Sequence, residues 1–491
     1  MRPVPVIDLF AGPGGLNEGF TSLKQGGAAI FQTVASFEME SSAYSTLTLR
    51  TAMRHVLAET GSLPTDYYSM IRGDLSFDEF ASRPDIGPAL KAARQEVHRL
   101  VLGPQTREES GDLIKQALSR SRTSDDPWVL IGGPPCQAYS LVGRSRRRAD
   151  PTFAEDEKHV LYREYLHIIR EFRPTVFVME NVKGMLSSKH DGGGIFQQIL
   201  GDLRDPAPDL GYDVYSFTVP GDDPAPQEFI IRSEFYGIPQ KRHRVILLGV
   251  LRGSDLGAPP QLGVAPRPVT VDDAIGDLPK IRSRVNPRSA DTESMWRASR
   301  MQALQHAYGK VPDGKVPGLG QPYLATYRAE TPDSALTKWL IDQHVGGITL
   351  HESRGHMPTD LVRYGYLAAM AAKENRSRKL NELPPALLPQ HKNASRADAP
   401  FNDRFRVQLR DQPSTTVVSH IAKDGHYYIH YDPMQMRSLS VREAARLQTF
   451  PDNYFFMGNR TSQYQQVGNA VPPLLARQLS SVVARLLGLA D

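Results

Sequence analysis

The fold is decided by VIDLFAGPGGLNEGF, Val6 to Phe20, near the start of a chain of 491 residues. An apolar β-type run leads to Asp8. Gly12, Pro13, Gly14 and Gly15 then break it, and helical spacing begins near Leu16. A short apolar run bounded by glycine reads as a strand. Glycines between strand and helix let backbone approach a ligand at the helix N-terminus. The unit recurs along the chain. TVASFE, ending at Glu38, runs into a helical pattern through Tyr44 and Leu47, and WVLIGG, TVFVMENV and RVILLGV follow from Trp128, Thr175 and Arg244. Leu161, Tyr165, Ile168, Ile169 and Phe172 recur at helical spacing. This alternation predicts an α/β fold: a doubly wound, Rossmann-like domain with a mostly parallel sheet, whose ligands lie at the carboxyl ends of the strands.

Acids stand at the expected strand exits. After Asp8 comes Glu38, roughly 20 residues past the glycine turn, where a carboxylate can accept the hydroxyls of a ribose. A third strand is expected to end at Gly73-Asp74-Leu75. Acids at successive exits suit a nucleoside better than a pyrophosphate. A plain structural turn is the alternative.

The single cysteine excludes an intramolecular disulfide framework and any cysteine-rich zinc site. The start, MRPVPVIDLF, lacks a long apolar segment, and no run is long enough to span a bilayer. An intracellular, cytoplasmic protein is expected. The net charge of +4 permits a polyanionic partner without demanding one. Residues 76–126 are polar with helical periodicity in PALKAARQEVHRLVLG and read as a surface insert. From about residue 256 proline and glycine rise and the α/β alternation stops. Three parts are expected: a domain over 1–255, a smaller loop-rich domain over 256–435, and a return to helix over 436–491. His344, His351 and His356 are spaced without a compact motif, so they read as polar surface rather than as a metal set.

The one thiol, Cys136, follows two prolines at the exit of a strand, in IGGPPCQAYS. An isolated cysteine is either an inert core filler or a nucleophile on a rigid mount. Its surroundings favour the second. DLFAGPGG, GGPPCQAYS, VMENVKGM, IPQKRHRVILLG, RSLSVREAARLQTFPDNY and QVGNAVPP occur in this order. The set resembles the ordered motifs of the DNA cytosine C5-methyltransferases, over residues 1 to about 250 and about 435 to 491. The stretch between lies where that family keeps its variable target-recognition domain.

The resemblance implies S-adenosylmethionine as methyl donor, with S-adenosylhomocysteine as product. Phe10, Gly12, Pro13, Gly14 and Gly15 would hold its methionine and adenosine parts. Glu38 would take the ribose and Met39 would lie against the adenine. Asp74 with Leu75 would meet the adenine amino group, and Pro135, Asn469 and Ala470 would line the same pocket. Cys136 would attack carbon 6 of a cytosine swung out of duplex DNA, making carbon 5 nucleophilic. Glu180 would donate to ring N3, Arg242 would set a positive charge near the base, and Arg244 would organise the site. Ser140 and the arginines Arg144, Arg146, Arg147 and Arg148, in a loop that closes over DNA, would clamp phosphates. In the middle region, RFRVQLRDQ and ENRSRK are basic enough to track phosphates. A protective methylase of a restriction or anti-phage system, acting as a monomer without metal, is the expected setting. The rivals are an RNA methyltransferase of the same fold, a catalytically silent DNA-binding protein, which would have lost Cys136 or Glu180, and a nicotinamide oxidoreductase, which explains only the first loop.

Overall fold

The computed structural model describes residues 2–123, 126–135, 160–187, 189–190, 193–310, 314–325, 334–389 and 403–490. Its main sheet has eight strands: β1 (Val4–Leu9), β2 (Phe31–Phe37), β3 (Val97–His98), β4 (Val129–Gly132), β5 (Val176–Val182), β6 (Tyr212–Ser216), β7 (Ile230–Arg232) and β8 (His243–Leu251). The order is β6-β8-β5-β4-β1-β2-β3, with β7 also on β8. From β5 to β3 all pairings are parallel, whereas β8 runs antiparallel to β5, β6 and β7. The order reverses between β1 and β4, the switch point where an open α/β sheet receives its ligand.

β1 is buried at all six positions, as a central strand covered on both faces must be. Its side chains alternate between two cores. Ile7 and Leu9 pack with Ile114 and Leu118 of one helix and with Tyr165, Ile168 and Ile169 of another. Val4 and Val6 pack with Leu16 and Phe20 and with the apolar stripe Leu475, Leu479, Val482 and Val483 of the C-terminal helix Pro473–Leu486. That helix lies against α1 (Gly15–Thr21) so closely that a Cβ added at Gly19 would come 2.3 Å from the Ala476 methyl.

The third strand is not where the sequence placed it. The segment before Asp74 is helix α3 (Thr65–Arg72), closed by Gly73 in the left-handed conformation at φ 86°. Tyr67, Tyr68, Met70 and Ile71 are buried at helical spacing, and this periodicity outweighs the acid-after-glycine cue. α2 (Ser41–Thr60), α3, α4 (Phe77–Ala81) and α5 (Ile86–Glu96) share a core of their own, which also takes Val345. The third parallel strand comes only after this excursion, at Val97–His98, opposite Ser36 and Phe37. α6 (Arg107–Ser121) then covers the sheet. The expected insert at 76–126 is therefore displaced: α3 to α5 make up the excursion, and residues 97–121 belong to the sheet domain.

Beyond residue 256 two further cores form. One surrounds the helices Glu293–Tyr308 and Pro358–Glu374. The other joins Val271, Leu340, Ile348 and Val417 to Leu447, Phe450, Tyr454 and Val467, so no packing boundary falls at 435/436. At that junction Arg437 and Glu443, each 1% exposed, form a bidentate ion pair at 2.6 Å. Glu443 also completes the capping box of Ser440. Among the described residues no helix is long and apolar enough to cross a membrane.

Candidate active site

The cradle at the β1 and β2 exits is built by backbone. Phe10 and Gly12 both have φ 56° and Gly14 has φ 96°, a run of left-handed turns that only glycine adopts freely. The Gly12 amide donates to Glu38 Oε2 at 2.8 Å, and the Glu40 amide to Oε1 at 2.7 Å. Glu38 is thus fixed at the lip of the loop. Burial raises its pKa and these amides partly offset the shift. A Cβ at Gly12 would meet nothing within 4 Å, whereas one at Gly15 would stand 2.2 Å from the Val471 carbonyl. The loop is open on one side and pressed against the QVGNAVPP turn on the other. The Tyr454 hydroxyl donates to the Pro13 carbonyl. Ala470 is buried beside Gly15, and Asn469 is exposed.

Beneath the loop lies the first of the strand-exit acids, Asp8. Asp8 is fully buried, and neither of its oxygens has a hydrogen-bond partner. Burial pushes its pKa up to about 8, with Asn17 and Arg54 offsetting only part. Asn17 itself is engaged with Ser36 and Thr33. An orphaned buried carboxyl, an acid pinned to a glycine loop, and Met39 left 58% exposed next to it fit a nucleoside with a cationic tail.

Two strands across, Glu180 stands near the end of β5, against the β4 exit. A Cβ at Gly133 would lie 3.0 Å from Glu180 Oε2, so the glycine makes room for the carboxyl. Asn181 Nδ2 donates to the Pro134 carbonyl at 3.4 Å. Arg244, on β8 opposite Val182, places Nε 2.8 Å from Glu180 Oε1, an ion pair without hydrogen-bond alignment. Both side chains are largely buried. Pro135 is exposed at the rim. The next residue, Cys136, lies outside the described residues, as do Ser140, Arg144, Arg146, Arg147 and Arg148.

Arg242 does something other than expected. It is 3% exposed and donates to the carbonyls of Val417 at 2.9 Å and Gly468 at 3.4 Å. Burial first, and then the charge of Arg244, bring its pKa down to about 9. Its guanidinium ties the β8 entry to the C-terminal turn and is electrostatically coupled to Glu180 and Arg244, while Arg244 makes the ion pair with Glu180. An unexpected glutamine pair reinforces that tie. Gln240 donates to the Leu447 carbonyl and to Gln448 Oε1, and Gln448 donates to the carbonyls of Val467 and Ala470. Both glutamines sit inside recognised motifs, but nothing in one sequence marks them as partners.

Other expected residues are not gathered here. Asp74 lies past α3, exposed, with its amide on the Ser69 carbonyl. His344 pairs with Asp342, His351 bridges Ser440 and the Pro279 carbonyl, and His356 meets Ser438 and Tyr364. The three form no cluster, and burial pulls the His351 pKa down to about 4. The arginines of RFRVQLRDQ and ENRSRK are engaged within the chain: Arg404 with Asp424, Arg406 with Tyr427, Arg410 with Asp272, Arg376 with Glu382 and Arg378 with Glu374.

A mostly parallel sheet with a glycine loop at its switch point and an ion-paired glutamate two strands away has the architecture of a Rossmann-like methyltransferase. The family model for C-5 cytosine-specific DNA methylase matches residues 105–485, and the chain belongs to that family of DNA (cytosine-5)-methyltransferases. It is 35% identical over 497 residues to Type II methyltransferase M.Bpa9945I of Bacillus paralicheniformis, covering 98% of this chain and 97% of the relative. Type II methyltransferase M.AgeI of Thalassovita gelatinovora is 29% identical over 72% of this chain and 82% of its own length. DNA (cytosine-5)-methyltransferase 1 of Rattus norvegicus is 25% identical over 96% of this chain, which spans 28% of that protein. A solved DNA modification methyltransferase encoded within an E. coli prophage shares the fold at a TM-score of 0.55 and 18% identity, with 99% of each chain covered.

Proposed function

We propose that the chain methylates carbon 5 of cytosine within a specific duplex DNA sequence, taking the methyl group from S-adenosylmethionine, as the modification enzyme of a type II restriction system. The carrying observation is the Glu180–Arg244 pair, seated against the Gly133-Pro134-Pro135 exit directly before Cys136. The cofactor supplies an electrophilic methyl on a sulfonium. Gly12 to Gly15, Glu38 and Asp8 are the groups that would hold it. The names of the two Bacillus and Thalassovita relatives support the restriction setting.

The chain's own residues then divide the work. The Cys136 thiolate forms a bond to carbon 6 while Glu180 delivers a proton to N3, so no full charge develops on the ring. The electron pair released from the 5,6 double bond makes carbon 5 nucleophilic. After transfer, water takes the carbon 5 proton, its bonding pair re-forms the 5,6 double bond and the carbon 6–sulfur bond breaks to release the thiolate, and N3 returns its proton to Glu180. Arg244 fixes the Glu180 carboxyl and adds positive charge beside the base. Pro134 and Pro135 remove backbone freedom before the nucleophile.

The test is methyl transfer from labelled S-adenosylmethionine to a pool of duplexes, with structured RNA as competitor. Label in DNA that RNA does not compete away supports the reading. Transfer to RNA alone, or to adenine, refutes it.

A further inference from the structure

Met39 and Val101 stand exposed on adjacent strand exits, at 58% and 55%. Met39 follows Glu38 at the end of β2. Val101 follows β3, where Leu102 is buried and Leu100 partly buried in the core beneath α6, so the residue between them faces outward. The exits are laced together. The Glu38 amide donates to the His98 carbonyl at 3.1 Å, and Arg99 Nε reaches the Met39 carbonyl at 3.5 Å. The His98 ring lies 5.3 Å from that of Phe37, and burial lowers its pKa. Two large apolar side chains exposed on adjacent strand exits beside the pinned Glu38 can wall a flat apolar group. No carboxylate occurs from Arg99 to Gln105. Asp74 belongs to the excursion, where the neighbouring Arg72 and Tyr68 turn toward Asp342 and Val345.

We infer that Val101, with Met39, walls the nucleobase end of the cofactor pocket, and that this chain reads the base from the Arg99–Gln105 exit without an acidic side chain. The inference rests on the S-adenosylmethionine reading above. It follows from the topology: the excursion α3–α5 moves the true third exit some 25 residues beyond Gly73-Asp74, from Gly73 to Val97–His98.

The test is titration calorimetry of S-adenosylhomocysteine into the full chain and its variants. Val101→Asp should weaken binding by about tenfold or more, and Val101→Ala by roughly fivefold, through loss of apolar cover. Val101→Ile should bind like wild type, and Asp74→Asn should stay within about twofold. In turnover the Val101→Ala loss should fall on KM for the cofactor and leave KM for the duplex unchanged, a split that general destabilisation would not produce. Wild-type affinity in both Val101→Asp and Val101→Ala, or a tenfold loss in Asp74→Asn, overturns the inference while leaving the methyltransferase reading intact. A wild-type chain that binds no S-adenosylhomocysteine removes both.

Discussion

Replacing Asp8 by asparagine should stabilise the protein, and by an amount that grows with pH. The carboxyl is fully buried with both oxygens unpartnered, and its pKa rises from the ordinary 3.8 to about 8. Below pH 3.8 the folded and unfolded chains both carry the proton, so the shift contributes nothing. As pH rises from there toward 8, the unfolded chain releases the proton while the folded chain keeps it, and stability falls. The loss approaches 1.36 kcal/mol per pH unit and levels off above the folded pKa. At pH 7, three or so pH units above 3.8, the penalty is on the order of 4 kcal/mol. Asparagine keeps the shape and has no proton to lose. Thermal unfolding of both proteins across pH 5 to 9 should give melting temperatures that diverge up to about pH 8 in favour of the variant and then hold a constant gap. A difference that stays flat with pH would show that Asp8 does not carry this proton. The variant should also bind S-adenosylhomocysteine more weakly, because Asp8 is one of the groups proposed to hold the cofactor.

Arg437→Met should cost about 3–5 kcal/mol, since it strands the Glu443 carboxylate in a site 1% exposed; chemical denaturation measures it. Gly15→Ala places a methyl 2.2 Å from the Val471 carbonyl, so the loop or the C-terminal turn must move. S-adenosylhomocysteine affinity should fall by roughly tenfold or more, by calorimetry. Arg244→Lys should lower kcat by about 10²-fold with a melting temperature close to wild type, because the site loses a positioned charge. Arg242→Lys should instead lower the melting temperature, because a guanidinium that bridges two carbonyls is lost.

The sheet was legible because its strands are short apolar runs, and because the glycines from Gly12 to Gly15 answer a backbone need that local sequence reveals. The pairing of Glu38 with this loop was legible for the same reason. The third exit was not. The Gly73-Asp74 pair imitates a strand end, yet Gly73 is a helix cap, and the true strand is two residues long, too short for any periodicity. The Arg242 and Arg244 roles are set by which face of β8 each occupies and by what packs there. Val417 and Gly468 are 175 and 226 residues away from Arg242 in the chain, beyond the reach of local pattern. Asp8 was legible as a strand-exit acid, but its burial without partners was not, because that depends on what packs around it. The basic character of the middle-region stretches was legible, but not the partners some of their arginines find, such as Asp424 for Arg404 and Asp272 for Arg410.

The central claim is that this chain marks cytosine carbon 5 at one duplex sequence through Cys136. Bisulfite sequencing of DNA from cells expressing the full chain, beside cells expressing Cys136→Ala, tests it most directly. The account predicts one short sequence protected from conversion at nearly every occurrence with the wild-type chain, and none with the variant. No protected sequence, or protection that persists in the alanine variant, would contradict it.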